Sequence, residues 1–169
     1  MKNALILLAV LIVAWFGLRA YNAIPEQVEG SDYKAVTTYI SGRPITVGSQ
    51  GTKYFGNEVK GDIDGDGVTD MAFLVTHEPG GSGTFFYLVG ALQQSNGSYK
   101  GTQAMLIGDR IAPQNTEFRN GLVIINYADR LPLDPMTAQP SQGKSLYAKY
   151  SASTNDFGEV VQNFEGESR

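Results

Sequence analysis

Between residues 71 and 92 the chain carries two apolar runs, MAFLVT at Met71–Thr76 and TFFYLVGAL at Thr84–Leu92, separated by Glu78-Pro-Gly-Gly-Ser-Gly83. Runs of six and nine residues have strand length and fall short of an ordinary helix. A proline and three glycines within six positions leave only a loop between them. The surrounding sequence repeats this alternation of strand and turn. Ala35–Ile40 turns at Ser41–Gly42 into Ile45–Val47, and Tyr54–Val59 precedes a cluster of aspartates. Ser95-Asn-Gly-Ser98 turns the chain into Lys100–Ile107. Phe118 leads through Asn120–Gly121, a strong type I′ hairpin signal, into Leu122–Tyr127. Residues 128–143 carry Pro132, Pro135 and Pro140, too many for a paired strand, and read as a long loop. Ser145–Tyr150 and Glu159–Val161 are the last strand candidates.

No segment of this region sustains a helical period, and no repeat of 20–50 residues is present, which excludes a full propeller or solenoid. The expected fold is mostly β: an antiparallel sheet, sandwiched or partly closed into a barrel. Twenty glycines, nine tyrosines and eight phenylalanines among 169 residues fit that class. A composition of 42% hydrophobic and only 18% charged residues argues against wholesale disorder. There is no cysteine, which rules out disulfides, thiolate metal sites, a cysteine nucleophile and a lipidated N-terminal cysteine.

The first 24 residues differ from the rest. Lys2 precedes an unbroken apolar run from Ala4 to Leu18, closed by Arg19. As a helix this run spans about 22 Å against a hydrocarbon core of about 30 Å. Continuation through Ala20, Tyr21, Asn22 and Ala23 nearly closes the gap, with Arg19 snorkelling and Trp15 and Tyr21 at the interface. A cleaved signal peptide is the alternative, but no small-x-small cleavage site is present. The expected organisation is a signal-anchor or transmembrane helix over 1–24, a polar tether over 25–32, a β-rich extracytoplasmic domain over 33–162 and a tail over 163–169. The domain therefore belongs outside the cytoplasm, anchored to the membrane, or secreted if the helix is cleaved. All 17 acidic residues follow Ile24, and the basic residues there are scattered singly. No concentrated basic surface exists for nucleic acid.

The one strong chemical motif is Gly61-Asp-Ile-Asp-Gly-Asp-Gly-Val-Thr-Asp70, which fits D-x-D-x-D-G-x-x-D. Calcium takes six to eight oxygen ligands, and alternate residues of a tight loop can aim carboxylates at one point. Asp62, Asp64 and Asp66 supply positions one, three and five; Val68 offers its carbonyl; Asp70 closes the set. Without a cation, carboxylates this close repel one another. Mg²⁺ suits the motif less well, because it keeps several waters. The loop departs from an EF-hand, since Phe73 stands at position twelve and a strand follows instead of a helix. It resembles the calcium loops of FG-GAP repeats, which likewise join two strands. A metal-free turn held by aspartate side chains is the bland alternative.

Other residues offer less. His77 is the single histidine, and nothing in the sequence brings Ser82 or Ser141 to it as a catalytic triad requires. Gly80-Gly-Ser-Gly83 lacks the strand-to-helix context of a nucleophile elbow and the lysine of a phosphate loop. The pairs Asp109–Arg110 and Asp129–Arg130 could brace loops or grip an anion.

Taken in order, the aspartate loop, Gly80-Gly-Ser-Gly-Thr-Phe85, Leu106-x-Gly-Asp-Arg-Ile111 and Asp134-Pro-Met136 resemble a group of small exported bacterial proteins akin to the LppP/LprE lipoprotein family. The resemblance covers roughly residues 54–150. It implies export and a single folded unit, and supplies no activity. The absence of cysteines departs from the lipoprotein members and leaves anchoring to the N-terminal helix. Three functions follow as expectations. The first is a calcium-binding envelope domain that binds an envelope protein or glycan, or has a structural role. The second is an envelope hydrolase with a metal-adjacent site at Asp109, Arg110, Asp129, Arg130 and His77. The third is a partner-binding or inhibitor module presenting the 128–143 loop.

Overall fold

A computed structural model describes residues 30–161. The expected anchor over 1–24, most of the tether and the tail over 163–169 lie outside the described residues. Eleven strands follow a short 3₁₀ turn at Tyr33–Ala35: β1 (Thr37–Ile40), β2 (Arg43–Thr46), β3 (Thr52–Gly61), β4 (Asp70–His77), β5 (Phe85–Gln93), β6 (Tyr99–Gly101), β7 (Met105–Asp109), β8 (Ala112–Arg119), β9 (Leu122–Asp129), β10 (Gln142–Ser151) and β11 (Asp156–Glu159). Strand pairing is antiparallel throughout the named strands.

β3, β4, β5 and β6 form one sheet in that order, with β7 also on β5, and β11-β10-β9-β8 form a second. β1 and β2 make a separate hairpin through Ser41 and Gly42, both at positive φ as a type I′ turn requires. None of the sheets closes into a barrel.

The two apolar runs are the centre of the first sheet, and both of their faces are buried. On β4, Ala72 and Leu74 join one core cluster while Met71, Phe73 and Val75 join another. β5 divides the same way: Phe86, Leu88 and Leu92 face one side, Val89 and Ala91 the other. The first cluster is completed by Val123, Ile125 and Tyr127 of β9, Leu146 and Ala148 of β10 and Phe157 of β11, so the two sheets share it. The second is covered by Val36 and Val47, which flank the β1–β2 hairpin. A strand buried on both faces needs apolar residues at every position, which is why these runs do not alternate. Each fully buried side chain of this size contributes about 1.5–3 kcal/mol. The edges of the two sheets meet where the ring of Phe118 lies over Gly61, the last residue before the aspartate loop. A Cβ at Gly61 would stand 2.1 Å from that ring.

Four expectations need correction. β8 is a full eight-residue strand where only Phe118 stood out; it is the edge of its sheet, with exposed polar residues and Pro113. Lys100–Ile107 is two strands. The chain leaves β5 at Thr102, whose hydroxyl accepts the Gly90 amide at 2.9 Å, and rejoins it at Met105. The proline loop is shorter than 128–143, because Asp129 still pairs with Gln142. β11 begins at Asp156, ahead of the expected Glu159.

Candidate metal centre

The aspartate loop joins β3 to β4, the edge strand to the most buried one. Gly65 and Gly67 sit at φ +84° and +87°, the left-handed region that folds the loop back on itself. Its carboxylates organise the backbone. Asp62 accepts the Gly65 amide at 2.8 Å and the Gly67 amide at 3.1 Å, Asp64 accepts Asp66 N–H at 3.1 Å, and Asp66 accepts Val68 N–H at 2.7 Å. Asp70 is fully buried and is served from two directions. Its Oδ2 accepts the amides of Ile63 at 2.9 Å and Asp64 at 3.4 Å, and its Oδ1 accepts the Gln93 amide at 2.8 Å.

Asp62, Asp64 and Asp70 each place an oxygen within 4.8 Å of the others, and among the described residues this is the group able to hold a metal ion. The spacing fits a shared cation: with metal–oxygen distances of about 2.3–2.6 Å, two ligands on opposite sides of an ion stand about 5 Å apart. Each carboxylate oxygen of the trio that accepts a single amide keeps a second lone pair, Asp70 Oδ1 among them, whereas Asp70 Oδ2 already accepts two. Asp66 lies outside this trio. Burial raises the Asp70 pKa, opposed by the amides of Gln93 and Ile63, and the neighbouring charge of Asp64 raises it further. The site therefore holds one carboxylate whose burial disfavours its charged form.

Sequence reasoning missed one partner of the site and one neighbour. Gln93 lies 23 positions from Asp70 and is delivered only by the β4–β5 register. Tyr150 of β10 has its pKa raised by burial and then by the charges of Asp64 and Asp70, and it donates to Asn155 at 3.0 Å. The second sheet thus borders the loop.

The other candidates gather at the opposite end. Asp109 pairs with Phe85 at the start of β5, eight residues from Gln93, or about 26 Å along the strand. Asp109 accepts the Thr84 amide at 3.0 Å and holds Arg110 in a forked ion pair at 2.8 Å, which keeps its carboxyl below the usual range. Arg130 spends its guanidinium on three carbonyls: Ala138 at 2.9 Å, Asp109 at 3.2 Å and Arg110 at 2.9 Å. Asp129 pairs with Lys144 at 2.7 Å. These groups brace the glycine loop, the β7–β8 turn and the proline loop against one another. His77 ends β4 and stands 2.9 Å from the Thr52 hydroxyl, seven residues along the strand from Asp70.

No family model, curated protein or solved structure matches the chain. No helix among the described residues is long and apolar enough to cross a membrane.

Proposed function

We propose that the protein is a membrane-anchored, extracytoplasmic calcium-binding β domain, with a binding or structural role at the bacterial cell envelope. The convergence of Asp62, Asp64 and Asp70 within 4.8 Å carries the calcium reading. Calcium suits the site better than magnesium, because several carboxylates from one flexible loop match its larger, less regular oxygen shell. The N-terminal apolar run supports the location, as does the resemblance to exported bacterial proteins. Bound at Asp70, the ion fixes the loop to the buried ends of β4 and β5, so its first role is to stabilise.

With an affinity of about 10⁻⁴–10⁻³ M, as in extracellular modules, 10 mM Ca²⁺ adds about 1.4–2.7 kcal/mol by mass action. Thermal melts of the full chain in EDTA and in Ca²⁺ test this. A rise of several degrees that Asp64→Ala abolishes is expected; superimposable melts refute the calcium site.

The partner-binding reading keeps one specific observation in its favour. Leu131, Leu133 and Met136 are exposed together on the braced 130–141 loop. The hydrolase reading has none, since Asp109 and His77 stand about 26 Å and about 23 Å along their strands from the aspartate end.

A further inference from the structure

We infer that the domain turns the end bearing the aspartate loop toward the lipid surface that holds its N-terminal run, and points the glycine and proline loops away from it. The inference rests on the anchoring half of the proposed function and does not depend on calcium. It is carried by the place where the described chain begins. The Gly30 carbonyl accepts the Tyr99 amide at 2.7 Å, Tyr99 pairs with Gln93, and the Gln93 amide donates to Asp70. Three neighbouring steps of about 5 Å each separate Gly30 from the candidate metal centre.

Six peptide steps from Ile24 to Gly30 reach at most about 22 Å. The end of the molecule that holds Asp62–Thr69, the Gln94–Ser98 turn and the Asn120–Gly121 turn is therefore tied close to the membrane. The glycine loop, the Asp109–Arg110 corner and the proline loop begin about 26 Å further along β5.

Further in, alongside the middle of β3, a clamp stops the entering segment from swivelling. Tyr33 and Tyr54 both donate to Glu58 Oε2, the former at 2.8 Å. The Lys34 ammonium lies 5.4 Å and 5.0 Å from the centres of their two rings. Tyr33 also packs edge-on against Phe73 and Tyr99. Residues 33 and 34 are thus locked to β3, β4 and β6 straight after the tether. Lipid, and not a soluble partner, faces the aspartate end, while the exposed Leu131, Leu133 and Met136 project away from it.

The lack of cysteine permits a direct test on the full chain. Ser95→Cys, Ser82→Cys and Leu133→Cys each give one labelling position, all on exposed turns. The labelled proteins are reconstituted into phosphatidylcholine vesicles containing rhodamine-headgroup lipid, and energy transfer to the lipid is measured in EDTA and in Ca²⁺. The inference expects transfer from position 95 to exceed that from 82 and 133 by roughly two-fold or more, given an offset of about 26 Å, and to do so in both buffers. Equal or reversed transfer in vesicle-bound protein overturns the orientation and leaves the anchor standing. Failure of the protein to float with the vesicles overturns the anchor and the orientation together.

Discussion

The buried Asp70 carboxylate accepts the Gln93 amide at 2.8 Å, tying the aspartate loop to the far end of β5. Asp70 therefore ties the loop to a neighbouring strand, whereas Asp62, Asp64 and Asp66 accept amides only from within the loop. Asp70→Ala leaves the Ile63 and Gln93 amides without their acceptor and should destabilise the fold by about 2–4 kcal/mol, with or without Ca²⁺. Asp64→Ala removes a single exposed amide acceptor, so in EDTA it should cost less than about 1 kcal/mol while losing the calcium response. Urea melts of both variants in both buffers check the split. Equal costs in EDTA would show that Asp70 is only one more loop carboxylate.

At the opposite end, Arg130 reaches three carbonyls from two separate loops. Arg130→Ala should cost about 1–3 kcal/mol and speed hydrogen exchange at the Ala138 amide, which bonds the Pro135 carbonyl. The calcium-induced shift in melting temperature should be unchanged, because the two ends share no partner. A lost calcium response in this variant would join what the fold holds apart.

What could be read in advance follows from where each signal resides. Met71–Thr76 and Thr84–Leu92 were legible because burial on both faces leaves an uninterrupted apolar run. Asn120–Gly121 was legible because a type I′ turn needs two positive φ angles, found here at +54° and +73°. β8 was not, since an edge strand with exposed Gln114, Asn115 and Glu117 shows little apolar pattern. The cluster of Asp62, Asp64 and Asp70 was legible because their spacing is local, while Asp66, expected beside them, lies outside the trio. The hold of Gln93 on Asp70, and the approach of Tyr150, depend on strand register and sheet packing, which no local spacing encodes.

Acid should weaken the second sheet through Asp129. The Lys144 ammonium at 2.7 Å holds that carboxyl below its usual range, partly offset by burial. A carboxylate with a lowered folded pKa contributes stability above its unfolded pKa of about 4, and loses it as pH falls through the folded value. Lys144→Gln should remove that contribution at pH 6 and match wild type again near pH 2. The pair is partly exposed, so the difference should stay below about 1 kcal/mol and shrink in salt. Denaturant melts across pH 2–7 measure it. A gap that widens toward low pH would reverse the assigned sign.

Leu133 offers a test in which a substitution improves the fold. The Asp134 amide donates to the Leu131 carbonyl at 3.1 Å, closing a turn with Pro132 second and Leu133 third. Leu133 sits there at φ +78°, where a type II turn wants glycine or asparagine, and its side chain is fully exposed. A leucine in the left-handed region costs about 1–2 kcal/mol, with no burial to offset it. Leu133→Asn should therefore stabilise the protein by about 0.5–1 kcal/mol, raising the melting temperature by about 2–4 °C. The Asp129–Lys144 pair and the Arg130 bonds flank the turn without touching Leu133, so they should survive the change. A loss of stability instead would mean that Leu133 is covered in solution, and a concentration-dependent melt would identify a second copy of the chain as the cover.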